Sequence, residues 1–134
     1  MPQNSYVSKQ VSQQYHILKD KETGKVIGYG ISNIYLPREV LKIDNGCLKG
    51  CKNITKKDFN KKIAFIEAVE ILPEYRGNGF GKELVNAIKN SYPEYNMALL
   101  ATQDSIDFWI KMGFENIVGW CFCYPYLFLK RAKN

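Results

Sequence analysis

The chain alternates between apolar stretches typical of strands and one stretch with the period of an amphipathic helix. The most continuous apolar stretch covers residues 63–72 and predicts a strand rich in β-branched residues. Pro73 ends this strand, because proline has no N–H to donate to a ladder. After a glycine-rich turn, apolar residues recur on one helical face, at Phe80, Leu84, Val85 and Ile88. The segment therefore predicts a strand, a turn and a helix in succession.

The part of the chain before this segment predicts a hairpin and a long loop. Residues 15–19 and 25–36 have strand-like patterns around a polar turn, and Pro37 stops the second strand. Gly28 and Gly30 inside that strand predict a bulge or a close backbone neighbour. Residues 36–62 have no clean period, and a connection of this length inside a small domain is often functional.

The part after the helix predicts the rest of a mixed sheet. A short apolar strand at residues 97–101 completes a parallel strand–helix–strand unit. A second helix follows at residues 105–112, with Asp104 as its N-cap and Gly113 just past its end. Strands at 114–118 and 121–129 come last. The chain is thus predicted to be one α/β domain, built on a mixed (α+β type) sheet, over residues 1–134.

Composition agrees with a globular domain. The 134 residues are 46% hydrophobic and 24% charged, and no apolar run is long enough for a membrane span. The first residues are polar and lack the apolar core of a signal peptide, so we expect a cytoplasmic protein. The four cysteines form two close pairs without C-x-x-C spacing. We therefore expect reduced thiols and no metal site, although a zinc ion held by both pairs is conceivable.

Most of the net charge of +6 lies between Lys42 and Lys62, where seven lysines stand against two aspartates. A solvated loop is one interpretation of this cluster. A contact surface for an acidic partner, for ligand phosphates or for nucleic acid is another. Phe59 is the one aromatic residue among the lysines, and a platform for stacking bases needs several aromatic side chains.

The turn before the first helix carries glycine at three alternate positions, Gly77, Gly79 and Gly81. Glycines at this place let a backbone approach a ligand closely, and the helix start favours an anion. Arg76 and Lys82 add positive charge, so the turn predicts a site for a phosphate-bearing ligand; a tight turn without a ligand is the alternative. The spacing matches neither a P-loop nor the Gly-x-Gly-x-x-Gly dinucleotide fingerprint.

Two motifs carry a resemblance to a known family. Arg76, Gly79 and Gly81 fit the pattern Arg/Gln-x-x-Gly-x-Gly/Ala, and about thirty residues later Phe108, Gly113 and Phe114 fit Ala-x-x-Phe-Tyr-x-x-x-Gly-Phe. In this order and spacing they resemble the GNAT superfamily of acetyl-CoA-dependent N-acetyltransferases. The resemblance implies a sheet that splays open between its fourth and fifth strands, here residues 63–72 and 97–101. The N-terminal helices of the family would be reduced.

The resemblance also implies acetyl-CoA as co-substrate, bound in the V between those two strands. Its pantetheine would pair with the backbones of Val69 and Ile71. Its pyrophosphate would lie on the glycine loop, and further residues would flank it from the second helix. The expected binding residues of these last two groups are Arg76, Gly77, Asn78, Gly79, Phe80, Gly81 and Lys82 in the loop, and Thr102, Ser105 and Trp109 beside it.

The catalytic positions depart from the family pattern. The family's proton-donating tyrosine aligns with Trp109, whose indole N–H cannot act as an acid, and its usual asparagine aligns with Thr102. Glu67 and Glu70 are the candidate bases. They differ by three positions and are predicted to face opposite sides of the sheet, with Glu67 on the side of Val69 and Ile71.

Two tyrosines and one histidine are the remaining residues with a possible part in proton transfer. Tyr126, or its neighbour Tyr124, is a candidate acid in place of the missing tyrosine. His16, the one histidine, is expected to be a surface residue of the hairpin.

The sequence thus predicts transfer of an acetyl group to a primary amine by direct attack. The acceptor stays open between a small amine, a protein amine and an aminoacyl-tRNA. One alternative is a weakly catalytic acyl-CoA-binding sensor or interaction module. Another is a binder of an acidic partner or of nucleic acid through the lysine-rich loop. The protein is expected to be a monomer or a homodimer that does not bind membranes.

Overall fold

The computed structural model describes residues 13–35, 62–116 and 127–132. Within these ranges, six strands form one mixed sheet in the order β1-β2-β3-β4-β6-β5. This confirms the predicted α/β fold with a mixed sheet. The strands are β1 (Gln14–Lys19), β2 (Val26–Tyr35), β3 (Ile63–Ile71), β4 (Asn96–Leu100), β5 (Glu115–Asn116) and β6 (Leu127–Lys130).

The predicted hairpin is confirmed. β1 and β2 pair antiparallel. In the turn between them, the Asp20 carboxylate accepts backbone hydrogen bonds from Glu22 at 2.8 Å and Thr23 at 3.1 Å. These bonds stabilise the charged carboxylate and lower the pKa of Asp20.

Two α-helices are present in the described ranges, α1 (Phe80–Asn90) and α2 (Ile106–Lys111). α1 has the predicted apolar face and buries Leu84, Val85 and Ile88. It connects β3 to β4, which pair parallel as the strand–helix–strand pattern predicts. The N-cap prediction for α2 is wrong. A 3₁₀ turn at Gln103–Ser105 comes first, so the cap position falls on Ser105, and no side chain bonds to the helix start there.

The core lies between α1 and one face of the sheet. It includes Ala64 and Ile66 of β3, the three buried residues of α1, and aromatic residues from α2 and its surroundings. Gly30 of β2 lies directly beneath α1, because a Cβ there would be 2.7 Å from Cδ1 of Ile88. Gly28 lies against β3, where a Cβ would be 2.5 Å from the carbonyl oxygen of Glu70. The predicted close backbone neighbour is therefore present at Gly28, whereas the close neighbour of Gly30 is a side chain.

Several sequence predictions fall outside the described residues. The lysine-rich loop at 36–61 is one of them, as is the segment 117–126 with Tyr124 and Tyr126. All four cysteines also lie there. Neither α-helix of the described ranges has the length and apolar character needed to cross a bilayer.

The two glycines of β2 give a matched test of packing. We expect Gly28→Ala to lower the free energy of unfolding by about 2–3 kcal/mol, because its methyl group would meet the backbone of β3. Gly30→Ala should cost only about 1 kcal/mol, because the end of the Ile88 side chain can move aside. Urea denaturation of both variants measures the difference, and equal losses would contradict this packing.

Candidate active site

The site begins where β3 and β4 separate. The two strands pair from Ile63 opposite Asn96 to Ile66 opposite Leu99, and β3 then continues to Ile71 with β2 as its neighbour. The splay between these strands, predicted from the family resemblance, is thus observed. It encloses a cavity of about 280 Å³. The cavity is lined by Ile66, Glu67, Ala68, Val69, Leu99, Leu100, Thr102, Ser105, Phe108 and Trp109.

The backbone of the open half of β3 offers hydrogen-bonding groups to this cleft. The N–H of Leu72 donates to the carbonyl of Ile27 at 2.9 Å, so Leu72 faces β2. Backbone groups alternate in direction along an antiparallel pair, and Glu70 therefore also faces β2. Val69 and Ile71 point their N–H and C=O groups the other way, into the cleft. No described strand pairs with them on that side.

β3 carries a one-residue bulge at the start of its open half. Ser32 opposes Ile66 and Ile31 opposes Ala68, so Glu67 has no partner on β2. The extra residue reverses the alternation of side chains. Before it, even-numbered residues such as Ile66 pack on the core; after it, odd-numbered Val69 and Ile71 do.

The predicted orientation of the two glutamates is wrong for this reason. Beyond the bulge, Glu70 shares a sheet face with Glu67, and both lie on the side opposite α1. Val69 and Ile71 are on the core side, so Glu67 does not share their face. Strict alternation of side chains along a strand predicts opposite faces for residues three positions apart. The bulge reverses that alternation between the two glutamates, so they lie on the same face.

Glu67 is exposed, lines the cavity and is held by two neutral donors. Its Oε2 accepts a hydrogen bond from Nδ2 of Asn33 at 2.9 Å and another from the hydroxyl of Tyr35. Both donors belong to β2. The sequence pattern does not predict these two donors, although adjacent Ser32 and Asn33 interrupt the apolar character of that strand and mark it as unusual.

Glu70 is engaged differently. Its Oε2 forms an ion pair with the guanidinium of Arg76, whose Nε also donates to the carbonyl of Ile71 at 2.8 Å. The side chains of the pair are 57% exposed for Arg76 and 42% for Glu70, so solvent screens the interaction. Arg76 thus fastens the start of the glycine loop to the end of β3.

The glycine loop has the geometry of an anion site. Gly77 and Gly79 have φ angles of +82° and +83°, and Asn78 braces the loop through a bond from Nδ2 to the carbonyl of Tyr75 at 3.2 Å. In the described part of the chain, the N–H groups of residues 77–82 have no acceptor. They border a second cavity of about 360 Å³. Its lining is Ile71, Tyr75, Arg76, Gly77, Gly79, Phe80, Gly81, Lys82 and Phe108.

Phe108 of α2 lines both cavities and so joins the cleft to the loop. Trp109 beside it is only 6% exposed, and its ring makes edge contacts with Phe108 and Phe114 at centroid distances of 5.0 and 5.4 Å. Trp109 therefore packs the far wall of the cleft. At the mouth, Oγ1 of Thr102 lies 2.7 Å from Oδ1 of Asp104 and 2.9 Å from Oγ of Ser105.

His16 lies on the hairpin and lines neither cavity, but it is half-buried and not the surface residue that the sequence predicts. Its Nε2 is 3.2 Å from Oγ of the buried Ser32, which in turn is 2.6 Å from the hydroxyl of Tyr92. Partial burial lowers the pKa of His16, which keeps the ring neutral at pH 7.

The candidate acid Tyr126 lies outside the described residues.

Solved structures share this fold at low sequence identity. GCN5 of Tetrahymena has a TM-score of 0.61 and 17% identity, over 99% of this chain and 78% of that one. The Bacillus subtilis N-acetyltransferase YlbP, solved with coenzyme A, has a TM-score of 0.63 and 12% identity, over 95% and 76%. Naa20 of Chaetomium thermophilum, solved with a bisubstrate analogue, has a TM-score of 0.60 and 18% identity, over 96% and 70%. These likenesses establish the fold.

Sequence comparison goes further. An uncharacterized N-acetyltransferase of Halalkalibacterium halodurans is 43% identical over 51 residues, which are 37% of this chain and 28% of that relative's length. The model of the "Acetyltransferase (GNAT) family" matches residues 3–114, most of the chain, including the glycine loop and the motif that ends at Phe114. This protein therefore belongs to the GNAT acetyltransferase family.

Proposed function

We propose that the protein transfers an acetyl group from acetyl-CoA to a primary amine by direct attack of the amine on the thioester. The observation that carries the proposal is the cleft between β3 and β4, which opens beside a glycine loop with free N–H groups. A strand edge next to an anion site suits a ligand that has an amide-bearing arm and a pyrophosphate. The chain would act as one domain.

The open half of β3 would bind the pantetheine arm. The N–H and C=O of Val69 and the N–H of Ile71 are directed into the cleft, and amide groups of the arm would extend the ladder there. Unpaired backbone groups in an apolar cleft carry a desolvation cost, which such a ligand removes. Phe108 and Trp109 would cover the opposite side of the arm.

The loop would bind the pyrophosphate mainly through its backbone. Six consecutive N–H groups at residues 77–82 point at no acceptor in the described chain, and the positive end of the α1 dipole adds to their effect. Lys82 contributes a charge at the rim of the same cavity. Arg76 lines the same cavity, and releasing its exposed ion pair with Glu70 to bind a phosphate would cost little, because a pair of this kind is worth about 0–1 kcal/mol.

Glu67 is the base that this arrangement favours. An alkyl amine is mostly protonated at neutral pH and must lose a proton before it attacks. Glu67 lines the cleft at the point where the strands separate, whereas Glu70 is held by Arg76 near the loop. The thiol of coenzyme A is a moderate acid, like that of cysteine, so the thiolate can leave and take its proton from water.

The acceptor is proposed only as a class, a primary amine. Solved proteins of this fold include one complexed with acetyl-methionyl-tRNA and one with a bisubstrate analogue. A small amine, a protein amine and an aminoacyl-tRNA are therefore all acceptors to test. The acceptor amine would approach Glu67 from the sheet face opposite α1, because that face carries the glutamate.

Calorimetric titration of acetyl-CoA tests the proposed site with two matched glycine variants. Gly79 and Gly24 have φ angles of +83° and +73°, and a Cβ on either would meet nothing within 4 Å. Alanine at either position should cost about 1–2 kcal/mol of stability through backbone strain. Only Gly79→Ala would place a methyl group where the pyrophosphate approaches, and we expect it to weaken binding at least tenfold.

Gly24→Ala is the control, because its turn lies between β1 and β2, away from both cavities. It should lose similar stability and bind acetyl-CoA like the wild type. Failure of the wild-type protein to bind acetyl-CoA would overturn the proposed function. Equal weakening in both variants would show that strain, rather than contact with the ligand, explains the loss.

A further inference from the structure

We propose that Asn33 and Tyr35 are positioning residues that hold Glu67 in the orientation needed to accept a proton from the acceptor amine. The inference deepens the proposed acetyl transfer and rests on it. Both residues lie on β2, one strand away from the cleft, and neither lines the cavity at the separated strands. Their effect on the reaction would therefore pass through Glu67.

The bulge explains why Glu67 needs such support. A residue in a regular strand has cross-strand neighbours that fix its side chain, but Glu67 has no partner on β2. Its side chain is also exposed, so packing does not select one rotamer. Hydrogen bonds from neighbouring residues of β2 are then the means by which the carboxylate acquires a fixed direction.

Both donors bond to the same carboxylate oxygen. Nδ2 of Asn33 and the hydroxyl of Tyr35 donate to Oε2, and in the described part of the chain Oε1 has no hydrogen-bond partner. The carboxylate is thus anchored at one oxygen and available at the other. An acceptor amine could pass its proton to Oε1 without displacing either bond.

The chemistry of the donors also suits this role. Asn33 and Tyr35 are neutral at pH 7, so they orient the carboxylate without giving it a cationic partner. Glu70, on the same sheet face, shows the contrast, because its Oε2 is paired with the guanidinium of Arg76. Of these two carboxylates, Glu67 alone is oriented by hydrogen bonds from neutral side chains and has no cationic partner among the described residues.

One of the two donors is itself held by a buried residue of β3. The ring of Tyr35 makes an edge contact with Phe65, at a centroid distance of 5.6 Å and an interplanar angle of 81°. Phe65 is 5% exposed and lies two residues before Glu67 on β3. Asn33 is directly opposite Phe65 in the strand register. A buried side chain of β3 therefore holds Tyr35, and through it the bond to Oε2 of Glu67.

The test combines Tyr35→Phe and Asn33→Leu, which remove the donors and keep the side-chain shapes, with Glu67→Gln. Tyr29→Phe is the matched control, since Tyr29 lies on the same strand and face but opposite Glu70. Acetyl transfer is measured with a lysine peptide, a peptide with a free α-amino group, an alkyl diamine and an aminoacyl-tRNA. Crystal structures of the wild type and the Asn33→Leu, Tyr35→Phe double variant show the rotamer of Glu67.

We expect each donor variant to lower kcat about tenfold while KM for acetyl-CoA changes less than about twofold, because a misdirected base slows the chemical step and leaves the cofactor groove intact. Tyr29→Phe should behave like the wild type. In the Glu67→Gln background, Tyr35→Phe should change kcat less than about twofold, because there is no base left to position. In the crystals, Glu67 should occupy one rotamer in the wild type and several in the double variant.

The possible results distinguish a failure of the positioning role from a failure of the proposed function. Turnover by the wild type with unchanged rates in both donor variants would refute the positioning role and leave the proposed function standing. An equal loss from Tyr35→Phe with and without Glu67 would show a purely structural effect. An unchanged Glu67 rotamer in the double variant would refute the role even if no amine in the panel is acetylated. No acetyl-CoA binding and no transfer by the wild type would instead refute the proposed function.

Discussion

The loss of pairing between β3 and β4 after Ile66 and Leu99 is the constraint on which the site depends. Two adjacent parallel strands normally satisfy each other's backbone groups along their full length. Here β3 continues for five residues with a partner on one side only, and its other side faces a cavity. The open half of β3 therefore presents unpaired backbone N–H and C=O groups to this cavity, as an edge strand does.

The bulge at Glu67 connects this opening to the candidate base. A bulge bends its strand and increases the local twist, and this one comes directly after the last residue that pairs with β4. The same extra residue sends the side chain of Glu67 to the face opposite α1, next to Asn33 and Tyr35. The bulge thus coincides with the point where the cleft opens, and it places the carboxylate of Glu67 there. The glycine loop then follows five residues beyond the open edge, and α1 returns the chain to the start of β4.

The sequence predicts much of this arrangement because its strongest signals are local. Proline and alternating glycines mark the end of β3 and the loop, and the apolar period of α1 follows from residues 80–88. The hairpin and the parallel unit follow from short patterns of the same kind. The spacing of two motifs then gives the family and, through it, the splay between the strands.

The remaining features depend on strand pairing and on contacts between distant residues, which no local sequence pattern records. Ile63 to Ile66 are all apolar, so no alternation records the bulge, and the faces of Glu67 and Glu70 are predicted wrongly. The hydrogen bonds from Asn33 and Tyr35 span more than thirty positions, and the ion pair of Arg76 with Glu70 crosses the turn. The cap of α2 is displaced by a 3₁₀ turn that no residue pattern separates from the helix.

Amide hydrogen exchange of β3, with and without acetyl-CoA, tests the central claim most directly. If the open edge is the cofactor groove, exchange at Val69 and Ile71 should slow at least about tenfold on binding, because their N–H groups gain acceptors. The amide of Glu70 lies between them but faces β2, so it is an internal control and should change only as much as the whole domain is stabilised. Binding of acetyl-CoA without selective protection of Val69 and Ile71 would contradict the account.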